Sequence, residues 1–88
     1  MKIVMDITDY NPKLGMQFSW EDNFKIECKK SIYNNNTFII KANEAGLKSL
    51  ANHLLTLSQS SIPSGYDFHL DDSNGLEEGS CELIFEKV

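Results

Sequence analysis

The stretch from Asn43 to Gln59, NEAGLKSLANHLLTLSQ, decides how the rest of the chain is read. Leu47, Leu50, Ala51, Leu54 and Ser58 follow the i, i+3, i+4, i+7 spacing of one helix face, and Leu55 and Leu57 widen the stripe. Asn43 is a good N-cap, Glu44 suits the positive helix N-terminus, and Ala42 is placed to touch Leu47 as a weak staple. The run Ser60-Ser61-Ile62-Pro63-Ser64-Gly65 stops the pattern. The spacing predicts a helix of about 16 residues, roughly 24 Å long. Its leucines are expected to be buried, each contributing roughly 1.5–3 kcal/mol. His53 lies opposite the stripe and is expected in solvent.

On both sides of this segment the period becomes two. Ile3, Met5 and Ile7 alternate with Lys2, Val4 and Asp6 as a first strand, ended by Asp9-Tyr10-Asn11-Pro12. Leu14, Met16, Phe18 and Trp20 form a second. Glu21-Asp22-Asn23 then joins it to Phe24, Ile26 and Cys28 as a hairpin. A fourth strand, Thr37 to Lys41, follows Asn34-Asn35-Asn36. Beyond the helix, Tyr66, Phe68 and Leu70 alternate with Asp67, His69 and Asp71. Cys81, Leu83 and Phe85 alternate with Glu82, Ile84 and Glu86, and a polar Asn-Gly loop lies between the two runs. The expected fold is α+β, ordered β-β-β-β-α-β-β. A mostly antiparallel sheet of five to six strands packs on one amphipathic helix, in a single domain spanning residues 1–88. One helix cannot cover both faces of such a sheet, so the last two strands should display Asp67, His69, Asp71, Glu82 and Glu86.

Charge is distributed unevenly. Residues 67–88 hold Asp67, Asp71, Asp72, Glu77, Glu78, Glu82 and Glu86 against Lys87 alone, a net −6, whereas residues 1–66 sum to +1. There is no arginine, and Lys29-Lys30 is too little for a nucleic-acid footprint, so no direct nucleic-acid binding is expected. The apolar opening ends at Asp6, and no later run approaches the roughly 18 apolar residues of a spanning helix. No membrane contact is expected, and a cytoplasmic location is the default. Cys28 and Cys81 fall on apolar strand phases and read as buried reduced thiols rather than a bridge.

The one constellation with chemical content is His69 with Asp71. At i and i+2 of a strand they share a face, as a general base or half a metal site would require, but a surface imidazole in an acidic patch is the plainer reading. No catalytic residue, metal ligand or cofactor is assigned. Ser58, Ser60, Ser61 and Ser64 lack a nucleophile-elbow context, the loop from Asp71 to Glu78 lacks EF-hand spacing, and Gly46, Gly75 and Gly79 form no phosphate cradle. Trp20 reads as core or core edge.

From Thr37 to Glu86 the chain resembles the bacterial immunity protein 32 family, small proteins associated with polymorphic-toxin loci. The match rests on Asn43, Gly46-Leu47, Leu50-Ala51, Leu54, His69-Leu70-Asp71, Gly75-Leu76 and Glu82-Leu83-Ile84. The resemblance implies a cytoplasmic, non-catalytic protein that binds and neutralises a cognate toxin. The acidic residues Asp67, His69, Asp71, Asp72, Glu77, Glu78, Glu82 and Glu86 then become the candidate partner-binding face, complementary to a basic toxin. Competing expectations are a structural or regulatory adaptor acting as a homodimer, and a small enzyme or metal protein using His69 and Asp71.

Overall fold

A computed structural model describes residues 1–88. Its elements are β1 (Ile26–Lys30), β2 (Phe38–Ala42), α1 (Glu44–Leu57), β3 (Asp67–Leu70) and β4 (Leu83–Glu86). The class is α+β, but there is no five- or six-stranded sheet. The four strands form two separate two-stranded antiparallel sheets, β1-β2 and β3-β4.

The missing strands are residues 1–20, and their hydrogen bonds show why. Backbone polar groups need partners, and here side chains of the helix, and of Gln59 just beyond it, supply them. Asn52 accepts from the Ser19 N–H (3.1 Å) and donates to the Asp6 carbonyl (3.1 Å), while the Ser49 hydroxyl accepts from the Glu21 N–H (2.9 Å). Gln59 donates to the Thr8 carbonyl and accepts from the Tyr10 N–H, both at 2.9 Å. The period-two burial survives without a ladder: Met16, Phe18 and Trp20 are half-buried, and Gln17 and Ser19 exposed. The expected hairpin of residues 14–20 with 24–28 fails because both edges of β1 are taken elsewhere. One edge pairs with β2. Along the other, Glu77 donates to the Ile26 carbonyl (2.8 Å) and Cys81 to the Cys28 carbonyl (2.7 Å).

The helix turns an unexpected face inward. Asn43 caps it, its Oδ1 accepting from the Gly46 N–H (2.7 Å), as the sequence suggests. The buried positions, however, are Gly46, Ser49, Asn52, His53, Thr56 and Leu57. Leu47 is 58% exposed, and Leu54 and Leu55 nearly half exposed, so most of the leucine stripe faces out. Small and polar residues point in for two physical reasons. They bond the irregular backbone of residues 6–21, and they let α1 approach β1 closely. A Cβ on Gly46 would lie 2.3 Å from the Lys25 carbonyl oxygen.

The core is therefore modest: Ile26, Cys28, Leu57, Ile62, Phe68, Leu70 and Leu76. His53 completes it, fully buried rather than solvated, against Phe18 (ring centroids 4.4 Å), Trp20 (4.2 Å) and Phe68 (5.8 Å). Neither ring nitrogen has a hydrogen-bond partner. Burial pushes its pKa from 6.5 down to about 4; the nearby Ser19 backbone opposes the shift without a well-formed hydrogen bond. Both thiols are free, Cys28 buried and Cys81 half-buried. Burial, and then the proximity of Cys81, raises the Cys28 pKa. No helix is long and apolar enough to cross a membrane.

Candidate functional site: the acidic hairpin

The β3-β4 hairpin is built by alternation. Phe68 and Leu70 point into the core, and Phe68 stacks on Phe85 across the ladder (centroids 5.0 Å), which fixes the register Asp67↔Glu86, Phe68↔Phe85, His69↔Ile84, Leu70↔Leu83. The opposite phase is therefore exposed on one surface: Asp67 and His69 from β3, Ile84 and Glu86 from β4, with Glu82 just before β4. The connecting loop is pinned by buried Leu76 and by Gly75, whose φ is +93°. A Cβ on Gly75 would sit 2.4 Å from the Trp20 ring, so the turn needs glycine both for its backbone and for the indole against it.

Two of the carboxylates expected on this surface also hold the connecting loop. Asp71 folds into the loop, its Oδ1 accepting from the Ser73 N–H (2.8 Å), and Asp72 accepts from the Gly79 N–H (3.4 Å). His69 does not pair with Asp71. Its Nε2 lies 3.3 Å from Asp67 and its Nδ1 3.4 Å from Glu82, contacts between half-exposed groups that contribute little to stability. Glu77, Glu78 and Glu86 are exposed, with no ion pair. No trio of His, Cys, Asp and Glu side chains converges on metal-ligand geometry.

The local electrostatics are one-sided because Lys87, the only lysine in residues 67–88, is turned away. Lys87 Nζ donates to the Gln59 and Ile62 carbonyls (2.6 and 2.7 Å), beyond the C-terminal end of α1. The sole lysine–carboxylate ion pair of the chain is Lys48–Glu44, on the helix (3.3 Å). No hairpin carboxylate is thus paired with a lysine, although Lys25 and Lys41 share a hollow with Glu77 at the edge of the surface.

The Immunity protein 32 family model matches residues 37–88, more than half of the chain. The chain belongs to that family. Comparison with curated proteins and with solved structures returned no match. The Immunity protein 32 match takes in β2, α1 and the whole acidic hairpin, but stops short of β1 and the irregular segment that completes the core.

Sequence reasoning missed two features of this Immunity protein 32 chain. Ile84 is 54% exposed at the centre of the acidic surface, directly opposite His69, an apolar side chain ringed by carboxylates. Its phase with Glu82 and Glu86 was the available signal. The second feature is a groove of about 850 Å³ between the N-terminal segment and α1, lined in part by Ile3, Val4, Trp20, Leu47 and Ala51. It could not be foreseen once the leucine stripe was read as buried. No histidine or cysteine lines it.

Proposed function

We propose that this protein is a non-catalytic inhibitor that binds a cognate toxin in the cytoplasm through the acidic hairpin. Membership of an immunity-protein family supports the inhibitory role. The observation that carries the choice of surface is the absence of any lysine paired with the hairpin carboxylates, Lys87 being engaged by main-chain carbonyls instead. Uncompensated carboxylates around an exposed isoleucine match the general anatomy of a tight interface, an apolar anchor inside a polar rim. The partner face that fits is basic, with a small apolar recess for Ile84. Asp67, His69, Glu82 and Glu86 would form the contact surface, with Glu77 and Glu78 at its edge. Asp71 and Asp72 would act mainly by holding the loop.

The test is capture of a toxin from among the products of the genes neighbouring this one, followed by stopped-flow association over a salt series. Electrostatic steering predicts an association rate that falls about 10-fold or more between low and physiological ionic strength. A rate indifferent to salt would remove the electrostatic part of the proposal.

A further inference from the structure

The free edge of β2 leaves main-chain hydrogen-bonding groups of a strand open beside three consecutive exposed apolar side chains, whereas the open edge of β4 has a single one, Ile84, between Glu82 and Glu86. The Ser31 N–H donates to the Thr37 carbonyl (2.8 Å) and the Asn43 N–H to the Lys25 carbonyl (3.1 Å), so Thr37 and Asn43 face β1 from the two ends of β2. In an antiparallel ladder this alternates by two, so Ile39 and Lys41 also face β1, while Phe38 and Ile40 direct their N–H and C=O groups outward. No other segment bonds those outward groups. The side chains along the same edge are exposed too: Phe38 58%, Ile39 44% and Ile40 47%. The far edge of the sheet, on β1, is covered by residues 77–81 of the same chain.

Natural edge strands are blunted by a central charge, a proline or a bulge. Phe38-Ile39-Ile40 has none of these, and Lys41 lies only at its end. We infer that this edge pairs with the same edge of a second copy, across a two-fold axis at Ile39, to make a continuous four-stranded antiparallel sheet β1-β2-β2-β1. The occupant follows from self-complementarity. With Ile39 opposite its symmetry mate, Phe38 of each copy falls opposite Ile40 of the other, an aromatic–β-branched pair in which both residues offer the outward main-chain groups needed for hydrogen bonds. Lys41 falls opposite Thr37 of the other copy, so no like charges meet. One edge of five residues lies below the size of a standard stable interface, about 1,600 Å² in total, so the dimer is weak, with dissociation roughly in the micromolar range. The inference does not rest on toxin binding.

Sedimentation equilibrium of the full chain over a concentration series tests it. The mass should rise from the monomer's 10.0 kDa towards twice that value. Ile39→Lys and Ile39→Glu each place like charges directly opposite across the axis, and each should sediment as a monomer. An equimolar mixture of the two should recover the dimer, which also shows that both variants are folded. The inference is overturned if the wild-type chain stays monomeric to millimolar concentration, if either variant dimerises as well as wild type, or if the mixture associates no better than its components.

Discussion

Gly46→Ala is expected to destabilise the protein by about 2–3 kcal/mol, lowering the melting temperature by roughly 10–20 °C for a domain of this size. In an exposed helix the same change gains about 1 kcal/mol. Here the added methyl would meet the Lys25 carbonyl oxygen at 2.3 Å and Ile26 Cγ1 at 2.9 Å. The oxygen cannot swing away, because Lys25 is held from both sides by Asn43: its carbonyl accepts from the Asn43 N–H, and its own N–H donates to Asn43 Oδ1 (3.0 Å). The helix must retreat instead, which loosens the polar face that Ser49 and Asn52 present to residues 6–21. Thermal melts followed by circular dichroism read the result. A melting temperature equal to or above wild type would mean that α1 does not approach β1 this closely.

Stability should also fall as the pH is lowered from about 6.5 towards 4, and His53 is the cause. Its folded-state pKa, about 4, lies below the ordinary value of 6.5, so across that window the unfolded chain binds the proton and the folded chain resists it. Stability present at neutral pH is therefore lost progressively on acidification, by about 3 kcal/mol over the whole window. Every other titratable group is shared with a His53→Phe variant, so comparing the two proteins isolates His53. Phenylalanine keeps the ring among Phe18, Trp20 and Phe68 and removes the titration. Urea denaturation of the two proteins at a series of pH values should show the stability difference moving in favour of the variant as the pH falls. Parallel curves would show that His53 is solvated or hydrogen-bonded in solution.

Local sequence made some of this fold legible and hid the rest for identifiable reasons. The N-cap at Asn43, the β2 strand and the β3-β4 hairpin were readable because each is fixed by neighbours in sequence: a side chain bonding three residues on, or period-two alternation across an Asn-Gly turn. The exposure of Asp67, His69, Glu82 and Glu86 came with that alternation. Residues 1–20 show the limit. Period two reports an extended chain with one buried side, not what its backbone bonds to, and here the partners were Ser49 and Asn52 on the helix and Gln59 just beyond its end. The helix misled for the same reason. A leucine stripe is normally the buried face, but a face that must bond irregular backbone and come close to β1 has to be small and polar. His53 went inward with that face. Around His69, the expected partner Asp71 was lost to the loop turn it makes with Ser73, which alternation along a strand cannot foresee.

The proposed function requires that a toxin meet the hairpin carboxylates. The direct measurement is survival of cells expressing a toxin that this protein captures, together with either of two variants matched in charge. One carries Asp67→Asn, Glu82→Gln and Glu86→Gln on the hairpin. The other carries Asp9→Asn, Glu21→Gln and Asp22→Asn, exposed carboxylates outside it. The hairpin variant is predicted to lose protection while the second protects like wild type. Full protection by the hairpin variant, at equal expression, would contradict the assignment.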